Sequence, residues 1–168
     1  PEEDAEIHVQ NGATSLGWDV PAFGLVAAGT GRVEPTALGG VRGRGFWLSG
    51  TNEIRYAVPP QPQPVDGVDW TIGLFLDPRS FADEVHTLMT FPDGTGVRLW
   101  GRQRVQYLRG EAVVHEVELP ETSGWFHLGW SVTDRLRDLT LRLNGYPLDR
   151  FVSDEALFAM TEGDFVVG

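Results

Sequence analysis

The sequence has 168 residues, a formal net charge of −11 and no cysteine, which excludes disulfides and thiolate metal sites. The negative charge argues against general nucleic-acid binding, because the phosphate backbone would be repelled. No apolar run approaches the roughly 20 residues of a membrane helix, so membrane insertion is not predicted either.

The N-terminal part of the chain carries weak patterning. An acidic segment precedes one candidate short strand, "IHVQ", and residues 11 to 45 are rich in glycine, with "GGVRGRG" as the clearest loop. That loop lacks the lysine and the following helix of a phosphate-binding loop, so we interpret it as a flexible turn. All 13 basic residues are arginines, which we attribute mainly to the coding bias of a bacterial genome rich in GC.

From residue 46 onward, short segments rich in β-branched and aromatic residues alternate with turn residues. Segments at this spacing predict an all-β chain folded as an antiparallel sandwich or a barrel. The prolines of residues 58 to 67 predict a surface loop, and residues 152 to 160 predict one short helical turn. The strand-like segments are, in order, "FWLSG", "EIRYAV", "DWTIGLFLDP", "HTLMTF", "GVRLW", "RVQYL", "AVVHEVEL", "WFHLGWSV", "LTLRLNG" and "DFVVG".

In two of these segments the residue pattern indicates which side chains share a strand face. In "LTLRLNGYPL", three leucines share one strand face, and Asn144-Gly145 predicts a tight hairpin because both residue types accept a positive φ angle. In "WFHLGWSV" both faces are largely apolar, which predicts a strand in the middle of a sheet. We therefore expect Trp125, at the start of that strand, to lie in the core.

The order of these segments resembles the laminin G-like members of the concanavalin A-like lectin and glucanase superfamily. The resemblance rests on "GRGFWLSGTNEIRYAVP", "DWTIGLFLDP", "HTLMTF", "GVRLW", "GWFHLGWSV", "LTLRLNGYPL" and "DFVVG". It covers residues 43 to 168, whereas residues 1 to 42 match poorly. It implies a single jelly-roll β-sandwich domain over residues 1 to 168. Family members continue past the late glycine with further strands, whereas this sequence ends at Gly168.

The resemblance also implies a function class. We expect a non-catalytic binding module of a secreted or cell-surface multidomain protein, with a glycan or a protein as its ligand and an extracellular location. The alternative is a structural or assembly domain that completes its sheet with another chain or segment. A glycoside hydrolase ranks third.

The hydrolase alternative depends on "HEVELPE", which places three glutamates close together, Glu116, Glu118 and Glu121. The superfamily's glucanases use Glu-x-Asp-x-Glu or Glu-x-Asp-x-x-Glu, and a retaining pair of carboxyls stands about 5.5 Å apart. Here the central Asp is replaced by Glu, and Pro120 interrupts the strand before the last glutamate. We therefore interpret the segment as a solvated strand face and predict no catalysis.

The strongest candidate for a ligand site is "VRLWGRQRVQYLRG", in which arginines alternate with aromatic residues. Guanidinium groups bind carboxylates or sulfates, and aromatic faces stack on sugar rings, so an acidic glycan or an acidic protein patch would fit. The alternative is a solvent-facing hairpin whose arginines pair with nearby acids. The predicted ligand-binding residues are Arg98, Trp100, Arg102, Arg104 and Tyr107.

Metal and cofactor sites are not predicted. The four histidines are scattered, and none stands at metal-ligand spacing from another histidine or a carboxylate. Calcium binds at loop rims in the wider family, but the candidates for it, such as Asn52 and Asp93, are isolated in the sequence. We assign no cofactor and leave calcium unassigned.

Overall fold

The computed structural model describes residues 26–30, 34–40, 43–47, 53–58, 70–77, 85–159 and 161–168. These residues form β-strands and irregular segments and contain no helix. The predicted strand "IHVQ", the proline-rich loop and Asn52 lie outside or largely outside them. The strands are β1 (Val26–Thr30), β2 (Glu34–Gly40), β3 (Gly43–Trp47), β4 (Glu53–Val58), β5 (Trp70–Leu76), β6 (Val85–Thr90), β7 (Thr95–Trp100), β8 (Arg104–Arg109), β9 (Ala112–Glu118), β10 (Phe126–Thr133), β11 (Asp138–Leu143), β12 (Tyr146–Val152) and β13 (Gly163–Val167).

The described strands fall into two compact units, one containing β1 to β4 and β13, the other β5 to β12. In the first unit β4 pairs antiparallel with β1 on one side and with β13 on the other. Arg55 on β4 donates to Glu53 at 2.6 Å and to Asp164 at 2.8 Å, which links β4 to β13 across their outer faces. Strands β2 and β3 form a separate antiparallel pair.

The second unit is an antiparallel β-sandwich. One sheet has the order β6-β7-β8-β9 and the other the order β12-β11-β10-β5. Alternation along each strand turns apolar residues inward, because successive side chains point to opposite faces. The fold class is therefore all-β and antiparallel, as predicted. Buried core residues of the second unit include Met89, Val97, Leu99, Val105, Tyr107, Leu128, Trp130, Leu139 and Leu141.

The two sheets of this sandwich also meet at one edge. His115 on β9 contacts Asp149 on β12, with 2.8 Å between Nε2 and Oδ2. The His115 ring stacks on Phe151 at 4.3 Å between centroids and 4° between planes. We call these three residues the edge contact. The edge contact joins β9 and β12, each of which is the terminal strand in the order given for its sheet.

The predicted hairpin after β11 is confirmed. Asn144 and Gly145 have φ angles of 52° and 87°, the left-handed values that a two-residue turn requires. The Asn144 side chain accepts a hydrogen bond from the backbone N–H of His127 at 2.9 Å. The turn is thereby tied to the neighbouring strand β10, which lies between β11 and β5, in the interior of its sheet as predicted.

The prediction that Trp125 lies in the core is wrong. Strand β10 begins one residue later, at Phe126, and the Trp125 side chain is 40% exposed. The tryptophan in the core is Trp130, which is 1% exposed and lies on the same face of β10 as Phe126 and Leu128. The sequence pattern identified the strand correctly but assigned the core position to a residue just outside it.

The short helical turn predicted for residues 152 to 160 is also absent from the described residues. Strand β12 continues to Val152, and residues 153 to 159 are irregular. Long-range hydrogen bonds hold this segment in place. The N–H of Phe158 donates to the Thr95 hydroxyl at 2.8 Å, and the N–H of Ala159 donates to the Asp93 carboxylate at 2.8 Å. Tertiary contacts thus override the weak local helix signal.

Candidate functional site

The strand register of β7, β8 and β9 brings most of the predicted site residues onto one outer sheet face. Trp100 pairs with Arg104, and Arg98 pairs with Gln106, which in turn pairs with Glu116. Directly paired residues point to the same side of a sheet, so all five share the face that points away from the core. We call this set, Arg98, Trp100, Arg104, Gln106 and Glu116, the arginine face.

A chain of polar contacts crosses the arginine face. Nε of Arg98 donates to Oε1 of Gln106 at 2.6 Å, and the Gln106 amide donates to Oε2 of Glu116. Nη1 of Arg104 lies 3.4 Å from Oε1 of Glu116. Gln106 is buried, so the polar atoms of its side chain depend on these partners. The network thus connects both arginines to Glu116, Arg98 through Gln106 and Arg104 directly.

The charges of the arginine face are nearly balanced. Glu118 pairs with Arg104 in the strand register and therefore lies on the same side of the sheet as Glu116. Two carboxylates thus stand near two guanidinium groups. The predicted preference for an acidic ligand is weakened, because local negative charge offsets the attraction of the arginines.

Trp100 gives the arginine face an exposed aromatic platform. Its side chain is 48% exposed, and the guanidinium carbon of Arg104 lies 6.0 Å from the ring centroid. The exposed Val85 pairs with Trp100 from β6 and extends the apolar surface. Beside the ring the surface has an open depression lined by residues 100 to 104, the end of β7, the following turn with Arg102, and the start of β8. A flat ring beside a depression and polar groups is suited to stacking against a sugar.

The other two predicted residues do not lie on this platform. Arg102 is exposed and belongs to the turn between β7 and β8, after Gly101. Tyr107 is 0% exposed and lies on the inner face, so it cannot stack on a ligand at the surface. Burial, together with the Asp149 carboxylate, raises the pKa of the Tyr107 hydroxyl well above its usual range. Tyr107 is a core residue, and its place in the predicted set is corrected here.

Gln106 and Glu116 are members of the arginine face that the sequence did not assign to it. Gln106 is two residues from Arg104 on the same strand, so alternation alone predicts that both side chains lie on one face. Glu116 joins them through its pairing with Gln106, which the sequence does not show. From the sequence, we interpret Glu116 as part of a solvated strand face after weighing a hydrolase role for it. Its two carboxylate oxygens instead face Gln106 and Arg104, and Glu121 lies beyond the end of β9.

Within the described residues no group of three or more histidines, aspartates and glutamates is arranged to hold a metal ion. Asp93, one of the two calcium candidates, binds protein donors. Its Oδ1 accepts hydrogen bonds from the Thr95 N–H at 3.0 Å and from the Thr95 hydroxyl at 2.5 Å, and its Oδ2 accepts from Ala159. The described part of the chain also contains no helix with the length and apolar character needed to cross a bilayer.

No protein-family model matches this sequence, and no curated protein matches it. Solved structures do match its fold. The binding domain of botulinum neurotoxin DC in complex with rat synaptotagmin II is 8% identical, with a TM-score of 0.58, covering 88% of this chain and 40% of that one. Botulinum neurotoxin type C, whose cell entry depends on interaction with two ganglioside molecules, is 7% identical, with a TM-score of 0.58, covering 88% and 39%.

A third match comes from an enzyme. Domain 4 of a GH43 extracellular arabinanase from Geobacillus stearothermophilus, in complex with arabinotriose, is 16% identical, with a TM-score of 0.57, covering 86% of this chain and 72% of that one. At such identities these similarities are similarities of fold. This chain spans about 40% of the toxin chains that it resembles.

Proposed function

We propose that this chain is a non-catalytic, extracellular binding module of the laminin G-like type, and that it recognises a glycan through the arginine face. The observation that carries the proposal is the exposed Trp100 ring beside an open depression, with Arg104 held 6.0 Å from its centroid. A single domain over residues 1 to 168 remains part of this proposal.

The fold neighbours support a binding role. The neurotoxin type C neighbour interacts with gangliosides, and the arabinanase domain was solved with arabinotriose. The toxin neighbour bound to synaptotagmin II shows that a related fold also serves protein recognition. These similarities support the class of ligand, while the residues of the arginine face support the place where it binds.

The chemistry of the arginine face suits an uncharged sugar. An indole ring can stack on the apolar face of a pyranose, and the contact buries apolar surface of both. Arg104 offers donors beside the Trp100 ring, and Glu116, 3.4 Å from Arg104, offers an acceptor farther along the same face. Because the local charges are balanced, we expect binding here to change little with salt.

A glycan array followed by calorimetry tests the proposal. Replacing Trp100 by Ala removes the platform without touching the core, so affinity for the best array ligand should fall about tenfold, equivalent to ~1.4 kcal/mol. The matched control is Trp125→Ala, which deletes another partly exposed tryptophan outside the arginine face. If Trp100→Ala binds as tightly as the wild type, the arginine face is not the site.

A second candidate function is assembly through strand β9. In the order β6-β7-β8-β9 this strand is terminal, and Val113 and Val114 on it are exposed. A terminal strand with exposed apolar residues is a template for strand addition by a partner. Light scattering after size exclusion tests this function. A dimer that Val114→Pro converts to a monomer would support assembly, and a monomer at all concentrations would contradict self-association through β9.

A further inference from the structure

A second surface with the properties of a site lies on the other sheet of the sandwich. Gly73 on β5 pairs with Gly129 on β10, and Gly129 pairs with Arg142 on β11. These residues occupy the outer face, since their neighbours Leu128 and Trp130 on β10 are buried in the core. Two adjacent glycines leave a floor without side chains in the middle of a sheet.

The imidazole of His127 lies over this glycine floor. A Cβ atom at Gly73 would stand 2.3 Å from Nε2 of His127, and one at Gly129 would stand 3.2 Å from its Cε1. The floor therefore makes room for the ring to lie along the sheet. Neither ring nitrogen of His127 hydrogen-bonds to another described residue, so both remain available to a ligand.

Phe75 forms an exposed wall beside the imidazole. It pairs with His127 in the strand register, its ring is 57% exposed, and the two ring centroids are 4.6 Å apart at a tilt of 50°. One exposed aromatic ring is ordinary on a protein surface. This ring is distinguished by its contact with an imidazole whose nitrogens bond to no other described residue.

Arg142 supplies the charge at the far side of the floor. Its Nη1 donates to the Ser131 hydroxyl at 2.7 Å, and Ser131 and Thr71 have their hydroxyl oxygens 3.1 Å apart. Among the described residues no carboxylate lies within 4.0 Å of the Arg142 guanidinium. A guanidinium has five N–H donors, so most of those of Arg142 have no protein acceptor in this part of the chain.

Arg150 on the same sheet face shows the contrast. Its Nε donates to Oδ1 of Asp138 at 2.9 Å, and a second nitrogen reaches Oδ2 at 2.5 Å, a two-point pair that neutralises the charge. Asp138 on β11 pairs in the register with Val152, which is two residues from Arg150 on β12, so the two side chains lie diagonally on one sheet face. The two arginines thus differ in their partners: the more exposed Arg150 has a carboxylate partner, and the half-buried Arg142 has a serine hydroxyl.

We propose that this surface, formed by Phe75, His127, Ser131 and Arg142 over the glycine floor, binds a sugar that carries an anionic group. The anion binds the guanidinium of Arg142, the sugar ring packs against Phe75, and ring hydroxyls bind the imidazole and the Ser131 hydroxyl. The anionic group is a carboxylate or a sulfate, since a guanidinium binds either in the same two-point geometry. This surface shares no residue with the arginine face and does not depend on the function proposed for it.

Three tetrasaccharides test the proposal by calorimetry on the whole chain. Tetragalacturonate carries carboxylates, a κ-carrageenan tetrasaccharide carries sulfates, and cellotetraose carries neither. We expect at least one of the two anionic probes to bind and to weaken as salt rises, because the pair with Arg142 is partly exposed. The preferred anionic probe identifies the source of the charge. Absence of binding by both anionic probes would overturn the proposal.

Matched variants identify the site of binding. Arg142→Ala should weaken the preferred anionic probe at least about tenfold, whereas Arg150→Ala, which removes the same formal charge from an arginine already paired, should change it less than about threefold. Equal effects of the two variants would show that only general charge matters, and would overturn the proposal.

Gly73→Ala provides a second, independent variant. Its new methyl group would occupy the position of the His127 ring, which must then rotate away from the floor. We expect affinity for the anionic tetrasaccharide to fall while far-UV circular dichroism stays unchanged, because the clash is with the end of a mobile side chain. Undiminished affinity in a folded Gly73→Ala variant would contradict the part assigned to the imidazole.

Discussion

Replacing Trp130 by Ala should destabilise the protein more than replacing Trp100 or Trp125, which are 48% and 40% exposed. Trp130 is 1% exposed and lies on β10 between two neighbouring strands. A tryptophan side chain buries about 150–250 Å², which at about 25 cal/mol per Å² amounts to roughly 4–6 kcal/mol. Because unfolded chains already bury part of that area, by about 10–40%, the expected cost is about 3–5 kcal/mol.

The indole nitrogen of Trp130 does not move the expected cost within that range. It is buried without a hydrogen bond of normal geometry, but it interacts with the buried Tyr107 hydroxyl and lowers the pKa of that group slightly against the larger effect of burial. Removing the indole relieves one poorly paired donor and isolates the hydroxyl beside it, so Trp130→Ala should cost about 3–5 kcal/mol.

The control is Trp125→Ala, the same deletion at a residue that is 40% exposed and precedes the strand. It should cost about 1 kcal/mol, because less area is buried and the loop can relax around the gap. Urea unfolding followed by far-UV circular dichroism measures both costs, since tryptophan fluorescence would itself change. Equal costs for the two variants, or a larger cost for Trp125→Ala, would refute the assignment of Trp130 to the core.

Three further predictions concern polar contacts. Asn144→Ala should cost about 1–2 kcal/mol in urea unfolding, because alanine disfavours the φ of 52° and cannot accept the hydrogen bond from His127; a cost below about 0.5 kcal/mol would contradict this. Asp93→Ala should cost about 2–3 kcal/mol, since its carboxylate accepts two backbone N–H groups, and an unchanged melting temperature would show that these bonds are dispensable. The guanidinium of Arg150 lowers the pKa of the Asp138 carboxyl, so Arg150→Gln should raise that pKa toward its ordinary value in a carbon-13 NMR titration. Because the Asp138 pKa is lowered in the folded state, the wild type should be more stable than Arg150→Gln above about pH 4. This stability difference should disappear as the pH falls through the folded pKa. An identical Asp138 titration in both proteins would refute the coupling.

The sequence predicted best where local chemistry decides the structure. Asn144-Gly145 accepts the left-handed angles of a tight turn, and the alternation of Leu139 and Leu141 marks the buried face of β11. Such features depend on neighbours within a few residues. Tight turns and alternating apolar residues are features of antiparallel sheets in general, so they predict the fold class.

The sequence-based prediction failed where residue type was followed in place of strand alternation. In "VRLWGRQRVQYLRG" alternation places Tyr107 in the same set as Val105, which is apolar and faces the core, and not in the set of Arg104 and Gln106. Tyr107 was grouped with the arginines because of its residue type, yet it lies on the inner face with Val105. Trp125 was placed in the core because it adjoins the strand, although β10 begins at Phe126.

Long-range contacts were beyond the sequence altogether. The glycine floor exists because the register of β5 and β10 places Gly73 opposite Gly129, and those residues are far apart in the chain. The segment ending at Ala159 is irregular because Asp93 and Thr95 hold its backbone. No window of sequence that contains only one partner of such a pair carries this information.

The edge contact has a consequence for how the sandwich opens. Terminal strands of a sheet normally exchange their amide hydrogens first, because each is held from one side only. Here His115 on β9 stacks on Phe151 and reaches Asp149, both on β12. Separation of either strand breaks contacts of the other, so the amides of β9 and β12 should exchange with similar rates, as one cooperative opening unit that spans two sheets.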